Sequence, residues 1–132
     1  MMIYLYDGTV EGFLTVVFEI YDKKALPDAI SVREESQTSF LIESLEVETD
    51  LEKAARVEKG ILKNVGNEGF SDFVYAFFSD EANPNREMVI FNWIRAVLRY
   101  GKKATQMYNL DAIKDFNDIV HKVTYEIHRF RS

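Results

Sequence analysis

The segment MIYLYDGTVEGFLTVVFEIYDKK, residues 2–24, decides the fold, because the spacing of its apolar side chains changes within it. In MIYLY, isoleucine and leucine alternate with two tyrosines, which predicts a short β-strand over residues 2–6. Asp7-Gly8 predicts a turn, and Thr9 is a suitable N-cap for a helix that begins directly after it. Apolar side chains then recur at helical spacing, so a strand is predicted to pass through a tight corner into a helix.

The next part of the chain predicts a loop, a second strand and a second helix. Pro27 ends the first helical pattern, and residues 27–41 have the composition of a polar loop. The segment ESLEVET alternates apolar and polar side chains, which predicts a strand over about residues 43–49. Either Thr49 or Asp50 is then expected to cap the helix that begins LEKAARVEKG.

Three further helices are predicted in the second half. One lies in NEGFSDFVYAFFSD, one runs from Pro84 to a terminating Gly101, and the last runs from about Leu110 to Phe130. The expected fold class is therefore a helix-dominated α+β fold. Two short strands, at about 2–6 and 43–49, would be covered by about five helices.

Composition narrows the class of protein. A chain of 132 residues with 47% hydrophobic residues can form one domain with a full core, and it has no cysteine. The absence of cysteine excludes disulfides, thiol catalysis and an iron–sulfur cluster held by this chain, and no cofactor is expected. No apolar run of membrane-spanning length occurs, so the expectation is a cytoplasmic protein that is soluble.

The net charge of −6 conceals an asymmetry along the chain. Residues 1–83 hold 17 acidic and 7 basic side chains, whereas residues 84–132 hold 5 acidic and 9 basic ones. The balance thus changes from −10 to +4, and both histidines lie in the second part. A basic portion of an acidic protein is consistent with local phosphate contacts, although an ordinary solvated face explains it equally simply.

The last helix carries a chemically mixed polar face opposite its apolar stripe. Cations suit phosphate oxygens, while tyrosine and histidine can stack on an unpaired base. The alternative interpretation is a solvated helix face. The candidate contact residues are Lys114, His121, Tyr125, His128 and Arg129.

A second basic face is predicted at the end of the preceding helix. Its members would neutralise phosphates without reading sequence, or would simply complement the helix dipole. They are Arg95, Arg99, Lys102 and Lys103.

Catalytic and metal chemistry find little support. Asp7 is a weak candidate for a general base at a strand end, although an aspartate before glycine more often sets a turn. His121 and His128 are seven residues apart, about 10.5 Å along a helix axis, which is too far for a shared zinc ion. No metal site is therefore expected.

Five segments in order resemble a bacterial family usually called "probable DNA metabolism proteins", and the similarity covers nearly the whole chain. Asp7, Gly8 and Gly12 match the opening motif of that family, and His121, Glu126, His128, Arg129 and Phe130 match its closing motif. The segments are IYLYDGTVEGFL (3–14), ETDLEKAARVEKGI (48–61), YAFFS (75–79), GKKA (101–104) and VHKVTYEIHRFR (120–131).

The resemblance implies a role in DNA repair or modification. Members are typically encoded beside a radical-SAM protein thought to act in DNA modification or repair, and some are fused to a uracil-DNA-glycosylase-like domain. Either could be a partner, and the cysteines of the radical-SAM protein would supply any cluster. Residues 1–132 are expected to be a single domain. Because family members continue past the closing motif, this domain is expected to be either complete or the N-terminal domain of a longer protein.

The residues and the resemblance together support three hypotheses. The first is an accessory domain, not catalytic by itself, that binds nucleic acid or a partner enzyme in a bacterial DNA repair or modification system. The second is a DNA-acting enzyme with Asp7, His121 or His128 as its acid or base. The third is a protein-interaction module whose basic face meets an acidic partner.

Overall fold

A computed structural model describes residues 2–33, 43–79 and 85–131; over 126–131 it describes the helix without its side chains. The described residues form a helix-rich α+β structure, which confirms the predicted fold class. The chain divides into two compact units, Met1–Lys59 and Gly60–Ser132, while the prediction of a single domain stays a prediction. The elements in chain order are β1 (Met2–Tyr6), α1 (Val10–Lys23), β2 (Ala29–Val32), β3 (Glu43–Glu46), α2 (Leu51–Phe77), α3 (Arg86–Tyr100), a 3₁₀ helix (Gly101–Gln106) and α4 (Asp111–Arg131).

The three strands form a parallel sheet in the order β2-β1-β3. Strand β1 lies in the centre, where Tyr4 and Tyr6 are fully buried and Ile3 and Leu5 almost so. A central parallel strand is covered on both faces, which explains why its tyrosines and aliphatic residues are buried alike. Helix α1 connects β1 to β2, so the first 32 residues form a β-α-β unit.

Strand β2 corrects the prediction of a loop over residues 27–41 and raises the number of strands from two to three. Its four residues, AISV, are too few for a clear alternation, and polar residues surround them. Pairing with β1 stabilises the strand: the Asp28 backbone N–H donates to the Met2 carbonyl (2.8 Å), and that of Arg33 donates to the Tyr6 carbonyl (2.8 Å). Ile30 is buried in consequence. Residues 34–41 of the predicted loop lie outside the described residues.

Both helix starts in the first unit have side-chain caps. The Thr9 hydroxyl accepts a hydrogen bond from the Gly12 backbone N–H (2.9 Å), which confirms Thr9 as the N-cap of α1. Asp50 caps α2, because its Oδ1 accepts from the backbone N–H groups of Glu52 (3.0 Å) and Lys53 (3.2 Å). The sequence allowed Thr49 or Asp50 in this role, and the Thr49 hydroxyl instead donates to Asp7.

The second and third predicted helices are one element, α2, that is interrupted at Gly66. Gly66 has φ 69° and ψ −170°, a region of backbone conformation that only glycine occupies readily. The prediction of two helices therefore placed the break correctly, although no loop separates them.

The core of the second unit lies between α3 and α4. Trp93 and Phe116 stack with ring centroids 4.1 Å apart and planes at 9°, and both are buried. Ile90 and Ile94 of α3 and Ile113 of α4 are also fully buried. Trp93 is thus a core residue.

Gly101 ends α3, as predicted, and turns the chain into the 3₁₀ helix; the predicted start of α3 at Pro84 lies outside the described residues. The Gly101 backbone N–H donates to the Val97 carbonyl, and its φ of 72° with ψ of −155° is again accessible mainly to glycine. The turn that it makes places Lys102 and Lys103 on an exposed surface, while Ala104 is fully buried.

No helix in the described ranges is both long and apolar enough to cross a membrane.

Replacing Gly66 or Gly101 with alanine should destabilise the second unit by about 1–3 kcal/mol, since each residue has a glycine-only conformation. Sterics do not contribute: an added methyl group would meet nothing within 4 Å at Gly66, and only Asn64 Oδ1 at 3.6 Å at Gly101. Urea denaturation followed by the emission of buried Trp93 measures the change. Lys63→Ala, at an exposed helical position, is the control and should change stability by less than about 0.5 kcal/mol. Equal stability of Gly66→Ala and Lys63→Ala would contradict the strain argument.

Candidate functional site

The carboxyl ends of the three strands meet at one edge of the sheet, which is where open parallel sheets usually bind ligands. Asp7 follows β1, Arg33 follows β2, and Glu48 and Thr49 lie just beyond β3. Strands β2 and β3 pair with opposite sides of β1, so this edge contains the change of direction that commonly opens a ligand crevice. The first candidate site is therefore this edge.

Hydrogen bonds already occupy both oxygens of the Asp7 carboxylate. Oδ1 accepts from the Thr9 backbone N–H (3.0 Å) and hydroxyl (2.6 Å), and Oδ2 accepts from the Thr49 hydroxyl (2.7 Å). A methyl group on Gly12 would overlap Oδ1, so glycine at position 12 makes room for the carboxylate. Asp7 thus joins the end of β1, the start of α1 and the segment after β3.

The same contacts decide the acid–base character of Asp7. The pKa of Asp7 is lowered, and the largest cause is the hydrogen bond from the Thr9 hydroxyl. The Thr49 hydroxyl, the Thr9 amide and the Arg33 charge also lower it, and together these effects outweigh desolvation, which raises the pKa. A carboxylate that is fully hydrogen-bonded and has a lowered pKa is a weak proton acceptor. The geometry therefore favours a structural role for Asp7 over the general base that the sequence suggested.

The Arg33 side chain lies at the same edge of the sheet, and its polar contacts there are long. Its Nη2 lies 3.5 Å from the Val47 carbonyl and 3.5 Å from Glu48 Oε1, and its buried Nε has no hydrogen-bond partner among the described residues. The position of Arg33 was not predicted, because β2 was not predicted.

An open pocket of about 330 Å³ lies beside β3 in the first unit. Glu19, almost buried, joins the ammonium groups of Lys23 (2.8 Å) and Lys53 (2.5 Å) at its wall. Those two hydrogen bonds, that of Lys23 first, lower the pKa of Glu19. The pocket is also lined by Glu46, Glu48 and Asp50, so four carboxylates face two ammonium groups.

The charge of the first unit makes it a poor site for nucleic acid. Residues 1–59 contain 13 acidic and 6 basic side chains, a balance of −7. Both the sheet edge and the pocket add fixed carboxylates close to any incoming anion, which repel phosphate.

Among the described side chains, the segment with the largest excess of exposed basic residues lies in the second unit; we term it the basic corner and define it as residues 95–114. This segment runs from the last turns of α3 through the 3₁₀ helix into the first turn of α4. Asp111 is its one acidic residue, so five cations give it a balance of +4. All five are exposed, and none has a carboxylate within 4.0 Å in the described part of the chain: Arg95, Arg99, Lys102, Lys103 and Lys114.

Aromatic rings support two of these cations. The Arg95 guanidinium carbon lies 5.8 Å from the centroid of the Phe91 ring, and that of Arg99 lies 5.3 Å from the centroid of the Tyr100 ring. Each ring restricts a long side chain without neutralising its charge. The four predicted phosphate contacts of α3 and the 3₁₀ helix therefore occur together on one exposed segment.

The face predicted on α4 has a more divided charge. Lys114, His121 and Tyr125 are exposed, and Tyr125 is 69% exposed. Acidic residues alternate with them, since Asp111, Asp115 and Asp118 are exposed on the same helix. The predicted contacts His128 and Arg129 lie in the part of α4 whose side chains are not among those described.

His121 also has an acidic neighbour on α2 that the sequence did not indicate. Burial raises the pKa of Asp72, and the charge of Glu68 adds to this effect, while the charge of His121 opposes it. Asp72 accepts no hydrogen bond from the described residues. Proximity between two residues so far apart in the chain has no signal in a single sequence. The effect is to make the surroundings of His121 less favourable to phosphate than the basic corner.

No group of three or more His, Cys, Asp or Glu side chains that could bind a metal ion occurs in the described ranges. Searches of family models, curated proteins and solved structures give no match to this chain.

Asp7→Asn should lower the free energy of unfolding of the first unit at neutral pH by about 1 kcal/mol, because charge-assisted hydrogen bonds weaken. The folded-state pKa of Asp7 lies below its usual value of 3.8, so its contribution is present above that value and is lost as pH falls through the folded-state pKa. The stabilities of wild type and Asp7→Asn should therefore converge in acid. Urea denaturation followed by near-ultraviolet circular dichroism of buried Tyr4 and Tyr6 measures both.

The matched control is Asp115→Asn, which removes an exposed carboxylate that accepts no hydrogen bond in the described part of the chain. Its effect should be small at neutral pH. A difference between wild type and Asp7→Asn that stays constant down to strongly acid pH would contradict a role for the ionised carboxylate.

Proposed function

We propose that this protein is an accessory nucleic-acid-binding domain of a bacterial DNA repair or modification system. The observation that carries the proposal is the basic corner, where five exposed cations stand without a carboxylate partner among the described residues. In a protein with a net charge of −6, this concentration creates a local site for phosphate. Lys114, His121 and Tyr125 extend the proposed contact surface along α4.

The first unit supports the proposal by exclusion. At its sheet edge both oxygens of the Asp7 carboxylate are engaged in hydrogen bonds, and its pocket is lined by more carboxylates than ammonium groups. Neither arrangement offers an anion-binding site or an evident acid–base pair. Binding therefore fits the geometry better than catalysis by Asp7.

The DNA repair context rests on the resemblance of the sequence motifs. A radical-SAM protein or a uracil-DNA-glycosylase-like domain is the proposed partner, and this domain would hold substrate for it. An acidic protein could contact the same cations, and a salt series on charge-removed variants separates that case from nucleic-acid binding.

Removing the charges of Arg99, Lys102 and Lys103 with alanine should weaken nucleic-acid binding and reduce its salt dependence. Each phosphate contact contributes roughly 0.7 to 0.9 to the slope of log K against log salt, so the slope should fall by about 2 to 3. Fluorescence anisotropy with a labelled DNA strand across a salt series measures both quantities.

The control variant replaces Arg56, Lys59 and Lys63, three exposed cations of α2, with alanine. Four acidic residues offset the four basic ones over 50–68, so this variant should retain most of the slope. Equal losses from the two triple variants would mean general attraction without a defined site. Absence of binding at low salt, with capture of the partner protein retained, would favour the protein-interaction module instead.

A further inference from the structure

Tyr108 stands in the middle of the basic corner and has no role in the core. Its side chain is 67% exposed, and its hydroxyl has no hydrogen-bond partner among the described residues. It follows Lys103 by five residues and precedes Lys114 by six. Phosphate contacts would explain the cations of this segment, which has a net charge of +4, but they do not explain an exposed aromatic ring among them.

The backbone around Tyr108 is well defined. The Met107 N–H donates to the Ala104 carbonyl (3.0 Å) and the Leu110 N–H donates to the Met107 carbonyl (3.0 Å), so Tyr108 occupies a tight turn. Buried Ala104 on one side and buried Ile113 on the other anchor that turn to the core. The ring is thus presented from a fixed backbone, which limits the entropy lost when a ligand stacks on it.

We propose that the basic corner binds single-stranded nucleic acid, with an unpaired base stacked on Tyr108 while Arg99, Lys102 and Lys103 neutralise the adjacent phosphates. This inference rests on the proposed function and adds the class of substrate and the residue that selects it. Every base has a π-face, so the contact tolerates any sequence. Gln106 and Asn109, which lie close to Tyr108 in the sequence, have exposed amide side chains that can hydrogen-bond to base edges.

Single strands fit the basic corner better than a duplex does. In a duplex both faces of each base are covered by its neighbours, so Tyr108 would have no surface to stack on. Reading a duplex through the major groove would require a helix with a continuous contact face. The exposed side of α4 instead alternates Lys114 with Asp111, Asp115 and Asp118, which repel phosphate at every turn.

The decisive experiment compares three labelled probes by fluorescence anisotropy: an oligothymidylate strand, an abasic strand of the same length and charge, and a duplex. Wild type should bind the oligothymidylate about 5- to 100-fold more tightly than the abasic strand, the range expected for one stacked base. Tyr108→Leu, which keeps apolar volume without a π-face, should remove that preference. Tyr108→Phe should preserve it.

Salt dependence separates stacking from charge. Tyr108→Leu should weaken binding without changing the salt slope, because no charge is lost, whereas the Arg99, Lys102 and Lys103 triple variant should change the slope. Emission from Trp93, buried against Phe116, confirms that each variant keeps the fold of the second unit.

The outcomes distinguish the two proposals. Equal affinity of wild type for the intact and abasic strands, or no effect of Tyr108→Leu, would overturn the stacking inference. If binding is nevertheless salt-sensitive, the proposed function is not affected by that result. Tighter binding of the duplex than of the single strand would also overturn it. Failure of all three probes to bind at low salt would overturn both.

Discussion

The hydrogen-bonded carboxylate of Asp7 is the constraint on which the first unit depends. It holds together the end of the central strand, the first turn of α1 through Thr9, and the segment after β3 through Thr49. Only glycine at position 12 allows the helix to approach that carboxylate. Since these bonds lie at the carboxyl ends of the strands, they place a fixed negative charge where a parallel sheet commonly offers a ligand crevice.

This fixed charge separates two tasks that often share one surface. In many β-α-β proteins the turn after the first strand binds a phosphate, because backbone N–H groups at the helix start are available. Here the Thr9 hydroxyl caps α1 and the Asp7 charge lies beside the cap, so an anion meets repulsion at that turn. Acidic residues then stabilise the first unit, and the cations available to a polyanion are concentrated in the second.

Much of the fold was predictable because its signals are local. The change from alternating to helical spacing at Asp7, the cap at Thr9 and the stop at Gly101 each depend on a few adjacent residues. Strand β2 was not predictable, because four residues give little alternation and they form a strand only by pairing with β1. The α2–α4 proximity of Asp72 and His121 was not predictable either, since it arises from tertiary packing. For the site, the sequence identified the cations, but the structure was required to show that Tyr108 is exposed whereas Tyr4 and Tyr6 are buried.

The position of the basic corner depends on how α3 ends. The stack of Trp93 on Phe116 holds α3 against α4, and residues 101–110 connect the two helices. Gly101 accommodates the turn out of α3, and within the connection Ala104 is buried while Lys102, Lys103 and Tyr108 are exposed. A tight connection between two packed helices thus exposes lysines and a tyrosine together on a rigid support. A stacking site requires that rigidity, because a ring that is already ordered loses little entropy when a base covers it.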